Sequence, residues 1–353
     1  MIKQTLYTAS VILGVVGLIF FLFSVLPGDP ARMMLDQRED AESLEAMRKK
    51  FGFDLPAWKQ FVWFLNDLSP VGYHSHDPTH ISSIEKQSSF VTIFSQRNGV
   101  IILKWPYLRE SFQMQGQSVN SIIARVLPNT VILALCAMLF AFVFGVFLGV
   151  IGSLHPGSWL DTFIAFTSTL GMSVPSFLSA IVAAYLFGFL WSDITGLPMS
   201  GSLMEWDDYG ERQSIAWRNI VLPALTLGIR PLAVITQLTR SSMLEVWSQD
   251  YMRTARAKGL TRYKQVVDHA LPNALNPVIT SASGWLASML AGAVFVEYIF
   301  GWNGLGKLIV DALNTLDLPV VMGCVIVIAI TFIVINFVVD FLHKKLDPRI
   351  QSH

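Results

Sequence analysis

The chain has 353 residues with 25 Lys+Arg balanced by 25 Asp+Glu, so no net charge is available to attract a nucleic acid. Charged residues are 14% and hydrophobic residues 53%, where soluble domains carry about 25% charged residues; an ordinary soluble enzyme or binding module is excluded and an integral membrane protein is indicated. Cys136 and Cys324 are the only cysteines and both sit in apolar runs, which excludes a disulfide framework and a thiolate metal site.

Residues 6–26 are an uncharged apolar run close to the roughly 20 residues that cross a bilayer as helix. Lys3 precedes it, as in a secretory leader, but Leu-Pro-Gly-Asp-Pro follows where a small-residue cleavage site would stand, so it is read as an uncleaved first span. Residues 27–127 are long and polar enough for a small domain outside the membrane. Within them 41–51 reads as a helix with a charged face, and 58–68 sets Trp58, Phe61, Val62, Phe64 and Leu65 at helical spacing. The period is lost over 69–96, where Pro70, Gly72, Pro78 and a Ser-rich run predict a loop. His74, His76, Asp77 and His80 in that loop have the donor chemistry for a transition metal. No second cluster completes such a site, so a solvated polar loop without metal is expected.

Residues 129–154 form the second span. Its Gly145 and Gly149 let another helix approach closely, in this chain or in a second one. Residues 160–190 are apolar but interrupted by Ser168, Thr169, Gly171, Ser173, Pro175 and Ser176, which predicts one long helix broken at the proline. Ser173, Pro175 and Ser176 are candidates for a surface past which a polar solute slides, with plain helix packing as the alternative. Residues 191–218 are an acidic outer loop carrying Asp193, Glu205, Asp207, Asp208 and Glu211. The fourth span, 220–238, holds Arg230 before Pro231. An arginine at that depth costs roughly 2.5–3.5 kcal/mol, so it is expected to face protein or a watery cavity, or to snorkel through a proline break.

Residues 241–277 make a cytoplasmic loop whose core, 250–277, is basic. Arg253, Thr254, Ala255, Arg256, Ala257 and Lys258 predict a short helix ended by Gly259, a residue that tolerates left-handed backbone. A second helix is expected from Leu260 through His269 to Leu271, stopped or kinked by Pro272, the two together forming a knob. Residues 278–298 are the fifth span, with Gly284, Ser288 and Gly292 as a close-packing stripe for a neighbouring helix, and 319–342 the sixth. Six crossings place this loop and the tail with Lys344, Lys345 and Arg349 on the same inner side, in agreement with the bias of cations to the cytoplasm. Residues 301–307, Gly-Trp-Asn-Gly-Leu-Gly-Lys, follow a β-looking 293–300 and imitate a phosphate-binding loop. Leu308 stands where that motif needs Ser or Thr for the magnesium ion, and the topology puts the segment outside.

The spacing in the central loop resembles that of permease subunits of binding-protein-dependent ABC importers: Glu-Ala-Ala, three residues, Gly, nine residues, Ile-x-Leu-Pro. Ala255, Gly259, Leu271 and Pro272 fall in place, while Arg253, Thr254 and His269 fill the Glu, Ala and Ile positions, as in the dipeptide/oligopeptide/nickel branch. The Pro-Gly-Asp-Pro-Ala after the first span, the Gly-Trp-Asn-Gly-Leu-Gly stretch and the Lys-Lys-Leu-Asp-Pro-Arg-Ile tail resemble the same branch, and 69–96 stands out as an insertion.

The resemblance implies an all-α polytopic protein of the bacterial inner membrane with about six transmembrane helices and an extracytoplasmic insertion after the first. Its parts are residues 1–26, an outer domain 27–127, and a transmembrane domain 128–353 containing the coupling loop 241–277. It implies as partners a second homologous permease, two cytoplasmic ATP-binding subunits and an extracytoplasmic solute-binding protein. ATP is then used by the partners, no cofactor is held by this chain, and it is not an enzyme. The implied solute is a di- or oligopeptide, with a nickel chelate or antimicrobial peptide as alternatives. Arg253 to Leu260, His269, Leu271 and Pro272 would couple to the ATPase. A self-sufficient secondary transporter or channel would instead show inverted repeats and intramembrane carboxylates, and only Asp161 and Asp340 lie near span ends. A membrane-embedded enzyme would need a cluster of His, Cys or carboxylates at one depth, which the spans do not offer.

Overall fold

A computed structural model describes residues 2–24, 41–77, 80–84, 89–96, 99–114, 116–206 and 212–346. Two compact units emerge, Met1–Arg125 with Leu308–Ala329, and Val126–Lys307 with Ile330–His353.

In the first unit α1 (Ile2–Ser24) buries Val16, Ile19 and Phe20 and exposes Leu13, Leu18, Phe21 and Leu22, the division expected of a helix with protein on one side and lipid on the other. The ring of Phe20 lies 5.1 Å from that of Phe61 and 5.8 Å from that of Phe64. Both partners come from α3 (Ala57–Leu68), the amphipathic helix expected at 58–68. It follows α2 (Ala41–Phe51), which ends at Gly52 with φ of 72°.

The segment 69–96 is not loop throughout. It supplies β1 (Val71–Ser75) and β2 (Phe90–Gln96), which flank β3 (Gly99–Lys104) in an antiparallel sheet of order β1-β3-β2. The protein is therefore mostly helical rather than all-α. Strands this short, separated by proline and serine, leave no helical period to find, and their signal is a period of two over only a few residues. Gly72 and His74 of β1 point inward with Val100, Ile102 and Lys104 of β3. The pairings Val71↔Leu103, Tyr73↔Ile101, Val91↔Leu103 and Phe94↔Ile101 place six large apolar side chains on the other face, each at least 37% exposed.

His74, expected in solvent, is fully buried; its Nδ1 lies 2.9 Å from the Ser82 hydroxyl, and the Ser82 N–H donates to His80 Nδ1 at 3.1 Å. The buried Lys104 donates to the Asp67 carbonyl at 2.7 Å, and Arg109 Nε donates to the Asp67 carboxylate at 3.0 Å. Burial and the neighbouring Lys104 lower the His74 pKa to about 4, and burial lowers that of Lys104 to about 8 against the pull of Asp67. Among the described residues no group of three His, Cys, Asp or Glu side chains is arranged to hold a metal ion.

The second unit begins within α4 (Val119–Leu154). The Gly145 and Gly149 pair is used inside the chain, against α7 (Val221–Ser248). A Cβ at Gly145 would stand 2.8 Å from Ile235 Cγ2, and one at Gly149 2.6 Å from Thr239 Cβ. Between them in sequence, α5 (Trp159–Ser173) and α6 (Ser176–Ala183) meet at a bend of 103°, and α6 continues as a wide π turn over Ala184–Leu190. The break lies at Val174-Pro175: Val174 is extended (φ −80°, ψ 128°), as a residue before proline prefers. A short hairpin, β4 (Met204–Trp206) with β5 (Gln213–Ile215), and a 3₁₀ turn (Trp217–Ile220) lead into α7.

After α7 come α8 (Asp250–Ala257), one turn at Arg262–Lys264, a π turn (Gln265–Ala270) and α9 (Leu271–Gly292). Pro272 does not stop a helix; it occupies the first turn of α9, where a missing N–H costs nothing. The β-looking 293–300 is also helical, as α10 (Val294–Ile299), and is followed by α11 (Leu305–Asn314) and α12 (Leu318–Leu346). The core of this unit gathers Leu133, Ala137, Ala180, Leu227, Met289 and Trp302. Among the described residues three helices are long and apolar enough to cross a membrane, or four if the bent α5/α6 pair is one span, and α1 adds a shorter apolar stretch, Ser10–Leu22.

Candidate functional site

α7 ends at Ser248, the extended Gln249 turns the chain, and α8 starts at once. One face of α8 is apolar: Met252 and Ala255 are both buried, and Met252 belongs to a small core with Met243, Val246, Ala270 and Ala274, against which Trp247 and Leu271 pack. Ala255 and Leu271, two residues of the spacing pattern, therefore build the elbow from within. The other face presents Arg253, Thr254, Arg256, Ala257 and Lys258 to the outside.

Arg256 also fastens α8 to the end of α7, donating to the Trp247 carbonyl at 3.2 Å and the Met252 carbonyl at 3.3 Å. Gly259 has φ of 72° with open space where a Cβ would be, so the backbone conformation alone calls for glycine. The Gln265 side chain donates to the Leu260 carbonyl at 2.6 Å and closes the following turn. The Arg262 guanidinium lies 4.3 Å from the Trp247 ring centroid. His269 is half-buried and Pro272 exposed. Between Arg262 and Lys264, Tyr263 stands 74% exposed; sequence reasoning passed over it, though an aromatic between two cations in a loop was the available signal. The result is a cationic protrusion with an exposed aromatic ring at Tyr263.

Above the elbow, Arg240 of α7 makes a two-point contact with Asp161 of α5, Nη2 donating at 2.7 Å. The same carboxylate accepts the Gly157 N–H at 2.8 Å, and Ser158 caps α5 by accepting from the Asp161 N–H at 3.3 Å. Further along α7, Arg230 is exposed with its guanidinium 5.9 Å from the Trp285 ring centroid, and α7 continues through Pro231 without the break that snorkelling was expected to use. Ser173, Pro175 and Ser176 gather at the α5/α6 bend; the Ser173 hydroxyl donates to the Thr169 carbonyl at 2.8 Å. Gly284 and Ser288 of the expected stripe are exposed, and among the described residues no heavy atom lies within 4 Å of a Cβ built on Gly284, while the surroundings of Gly292 lie outside what the structure describes.

The phosphate-loop imitation at 301–307 has its N–H groups engaged already. The fully buried Glu297 carboxylate accepts from Gly306 N–H at 2.6 Å and Lys307 N–H at 3.3 Å, while Leu305 N–H donates to the Thr130 hydroxyl at 2.8 Å. A Cβ on Gly304 would fall 2.4 Å from both carboxylate oxygens, so only glycine fits there. The indole of Trp302, fully buried, donates to the Asn129 carbonyl at 3.1 Å, and the Asn129 amide donates to the Asn303 carbonyl at 2.7 Å. This carboxylate-centred knot joins the loop to the start of the long α4 helix, and it went unread because Glu297 looked like part of a strand.

Residues 141–352 match the family described as binding-protein-dependent transport system inner membrane component, and residues 1–92 match the N-terminal family of such membrane components. The chain is 34% identical over 352 residues to the di/tripeptide transport system permease protein DppB of Pseudomonas aeruginosa, covering 96% of this chain and 94% of that one. It is 31% identical over 350 residues to the oligopeptide transport system permease protein AppB of Bacillus subtilis, covering 99% and 98%. It is 33% identical over 356 residues to the probable D,D-dipeptide transport system permease protein DdpB of Escherichia coli, covering 96% and 94%. In fold it is similar to a chain of the inward-facing MetNI methionine ABC transporter, with a TM-score of 0.53 at 17% identity, over 65% of this chain and 97% of that one. The chain thus belongs to the binding-protein-dependent transport system inner membrane component family and is a multi-pass permease of the inner membrane.

Proposed function

We propose that this chain is one permease subunit of an ATP-driven importer of di- or oligopeptides and that the α7–α8 elbow is where it receives the work of the ATPase. The observation that carries the proposal is the elbow itself, whose cationic outer face stands on a buried Met252/Ala255 face and is closed by the left-handed Gly259. The peptide relatives matched along nearly the whole chain support the solute class. The protein crosses the membrane six times, and 27–127 lies outside. It works with a second homologous permease, two cytoplasmic ATP-binding subunits and an extracytoplasmic solute-binding protein. ATP is hydrolysed by those partners and not by this chain.

When the ATPase subunits close, Arg253, Thr254, Ala257, Lys258 and Tyr263 are pushed as a unit. Arg256 passes the displacement to α7, and the Asp161–Arg240 pair passes it on to α5. The spans then rock between inward-open and outward-open arrangements, a two-state element biased from one side. Arg230, Ser173, Pro175 and Ser176 face the path that opens.

The test is reconstitution of the complex in liposomes with labelled trialanine. The expected result is uptake that requires ATP, the ATPase subunits and the binding protein. Uptake by this chain alone, without ATP, would favour the self-sufficient transporter. Competition by a nickel chelate but not by peptides would reassign the solute.

A further inference from the structure

On the same face of α7 as Arg230, nearer the elbow, lies a cavity of about 700 Å³ between α5, α7 and α9. Its wall includes Met172 of α5, Val234, Gln237, Arg240 and Ser241 of α7, and Ser281 of α9. Positions 230, 234, 237 and 241 recur at spacings of three and four, and so share one side of the helix. Ser281 lies four residues before Trp285, the residue under Arg230, so the cavity and the Arg230–Trp285 contact occupy one continuous groove. The volume falls in the range of roughly 300–1,000 Å³ usual for small-molecule sites.

The wall chemistry narrows the occupant. Arg240 brings its aliphatic stem, because its guanidinium is held by Asp161. Gln237 makes only a long contact, 3.4 Å from its amide nitrogen to the Thr169 hydroxyl. Among the described residues neither the amide oxygen of Gln237 nor the Ser281 hydroxyl has a hydrogen-bond partner. Uncharged amide and hydroxyl groups on apolar helices are costly unless something polar meets them. With the charge of Arg240 already matched, an ion gains little here. A group carrying both an N–H and a C=O would satisfy the amide of Gln237 at two points, and the flexible thioether of Met172 accepts side chains of varied shape.

Resting on the peptide-import reading above, we propose that this cavity is a solute subsite that receives the backbone amide of a short peptide, with Gln237 and Ser281 as the hydrogen-bonding residues and Met172 under the side chains. It recognises what all peptides share and little of what distinguishes them.

The experiment uses the reconstituted complex with its binding protein, trialanine, and trialanine methylated on its backbone nitrogens. Because the same binding protein serves every variant, any change in the ratio of the two uptake rates belongs to the permease. Gln237→Leu is expected to reduce the preference for unmethylated trialanine by about tenfold, the loss of one or two hydrogen bonds. A second measurement covers failed assembly of that variant. Ser241→Cys, in a background of Cys136→Ala and Cys324→Ala, is treated with a water-soluble maleimide during turnover, and trialanine is expected to slow the modification. An unchanged ratio in Gln237→Leu, or modification of Ser241→Cys at the same rate with and without trialanine, overturns the subsite while leaving peptide import intact. Absence of any trialanine uptake by the unaltered complex overturns the peptide assignment itself, and the subsite with it.

Discussion

Arg240 and Asp161, 79 positions apart in the chain, hold the start of α5 against α7 through two parallel contacts, with the carboxylate side chain only 5% exposed. Removing one member of a buried pair leaves the other without its partner, at a cost; here Arg240 keeps 31% of its side chain exposed, which reduces that cost. Asp161→Asn is accordingly expected to lower the thermal midpoint of the detergent-solubilised subunit. Arg240→Lys keeps the charge and loses the two-point geometry. It should stay folded but couple poorly, with more ATP hydrolysed per peptide imported. Equal midpoints for Asp161→Asn and the unaltered protein would show that the pair is dispensable to the fold.

Gly259 gives a separate handle on coupling. At φ of 72° a side chain costs on the order of 1–2 kcal/mol, and a β-branched one is worse placed. Gly259→Val should insert normally and keep its spans, since nothing packs on that position, while binding-protein-stimulated ATP hydrolysis falls. Arg256→Gln should produce a milder version by freeing the Trp247 and Met252 carbonyls. Wild-type hydrolysis and uptake in both variants would remove the elbow from the coupling route.

At the 301–306 loop, Gly304→Ala places a methyl group where the Glu297 carboxylate now lies, so the knot must open. Glu297→Gln fits the space but puts an amide where the carboxylate accepts from two N–H groups, a cost of about 1–3 kcal/mol if one of them is left unpaired. Gly304→Ala is expected to lower thermal stability more than Glu297→Gln, and both more than Gly259→Ala. The measurement is the unfolding midpoint of each purified subunit.

The first unit should be sensitive to acid. His74 binds a proton at about 4 when folded and at 6.5 when free, so between those values the unfolded chain takes up the proton and the folded one does not. Stability therefore falls as pH drops from 6.5 toward 4. Lys104, lowered from 10.5 to about 8, adds stability as pH rises from 8 toward 10.5. His74→Phe should flatten the acid limb and leave the alkaline limb in place, followed by tryptophan fluorescence against pH. An acid limb unchanged in that variant would assign it to other groups.

Local spacing revealed the elbow, the break at Pro175 and the Gly145/Gly149 packing, because each is written in residues within one turn or two of each other. The sheet was hidden because β1 and β2 are five and seven residues long and separated by loop-like sequence. Deleting 74–86, harmless to a loop, would remove His74 and its Ser82 partner from under the sheet. That variant is expected to lose the fold of the first unit, read as protease sensitivity between α1 and α4. Asp161–Arg240 was illegible for a different reason: a pairing between positions 79 residues apart leaves no periodic trace, and a lone acid near a span end resembles any other.

The side of the outer sheet turned away from His74 carries Val71, Tyr73, Val91, Phe94, Ile101 and Leu103 with no charged residue among them. An excised outer fragment would therefore behave as a poor colloid, sticking to itself at the concentrations used for antibody production or spectroscopy. Val91→Lys and Phe94→Glu, on the edge strand and pointing off the core, are the replacements that would make such a fragment tractable without touching the buried polar layer beneath.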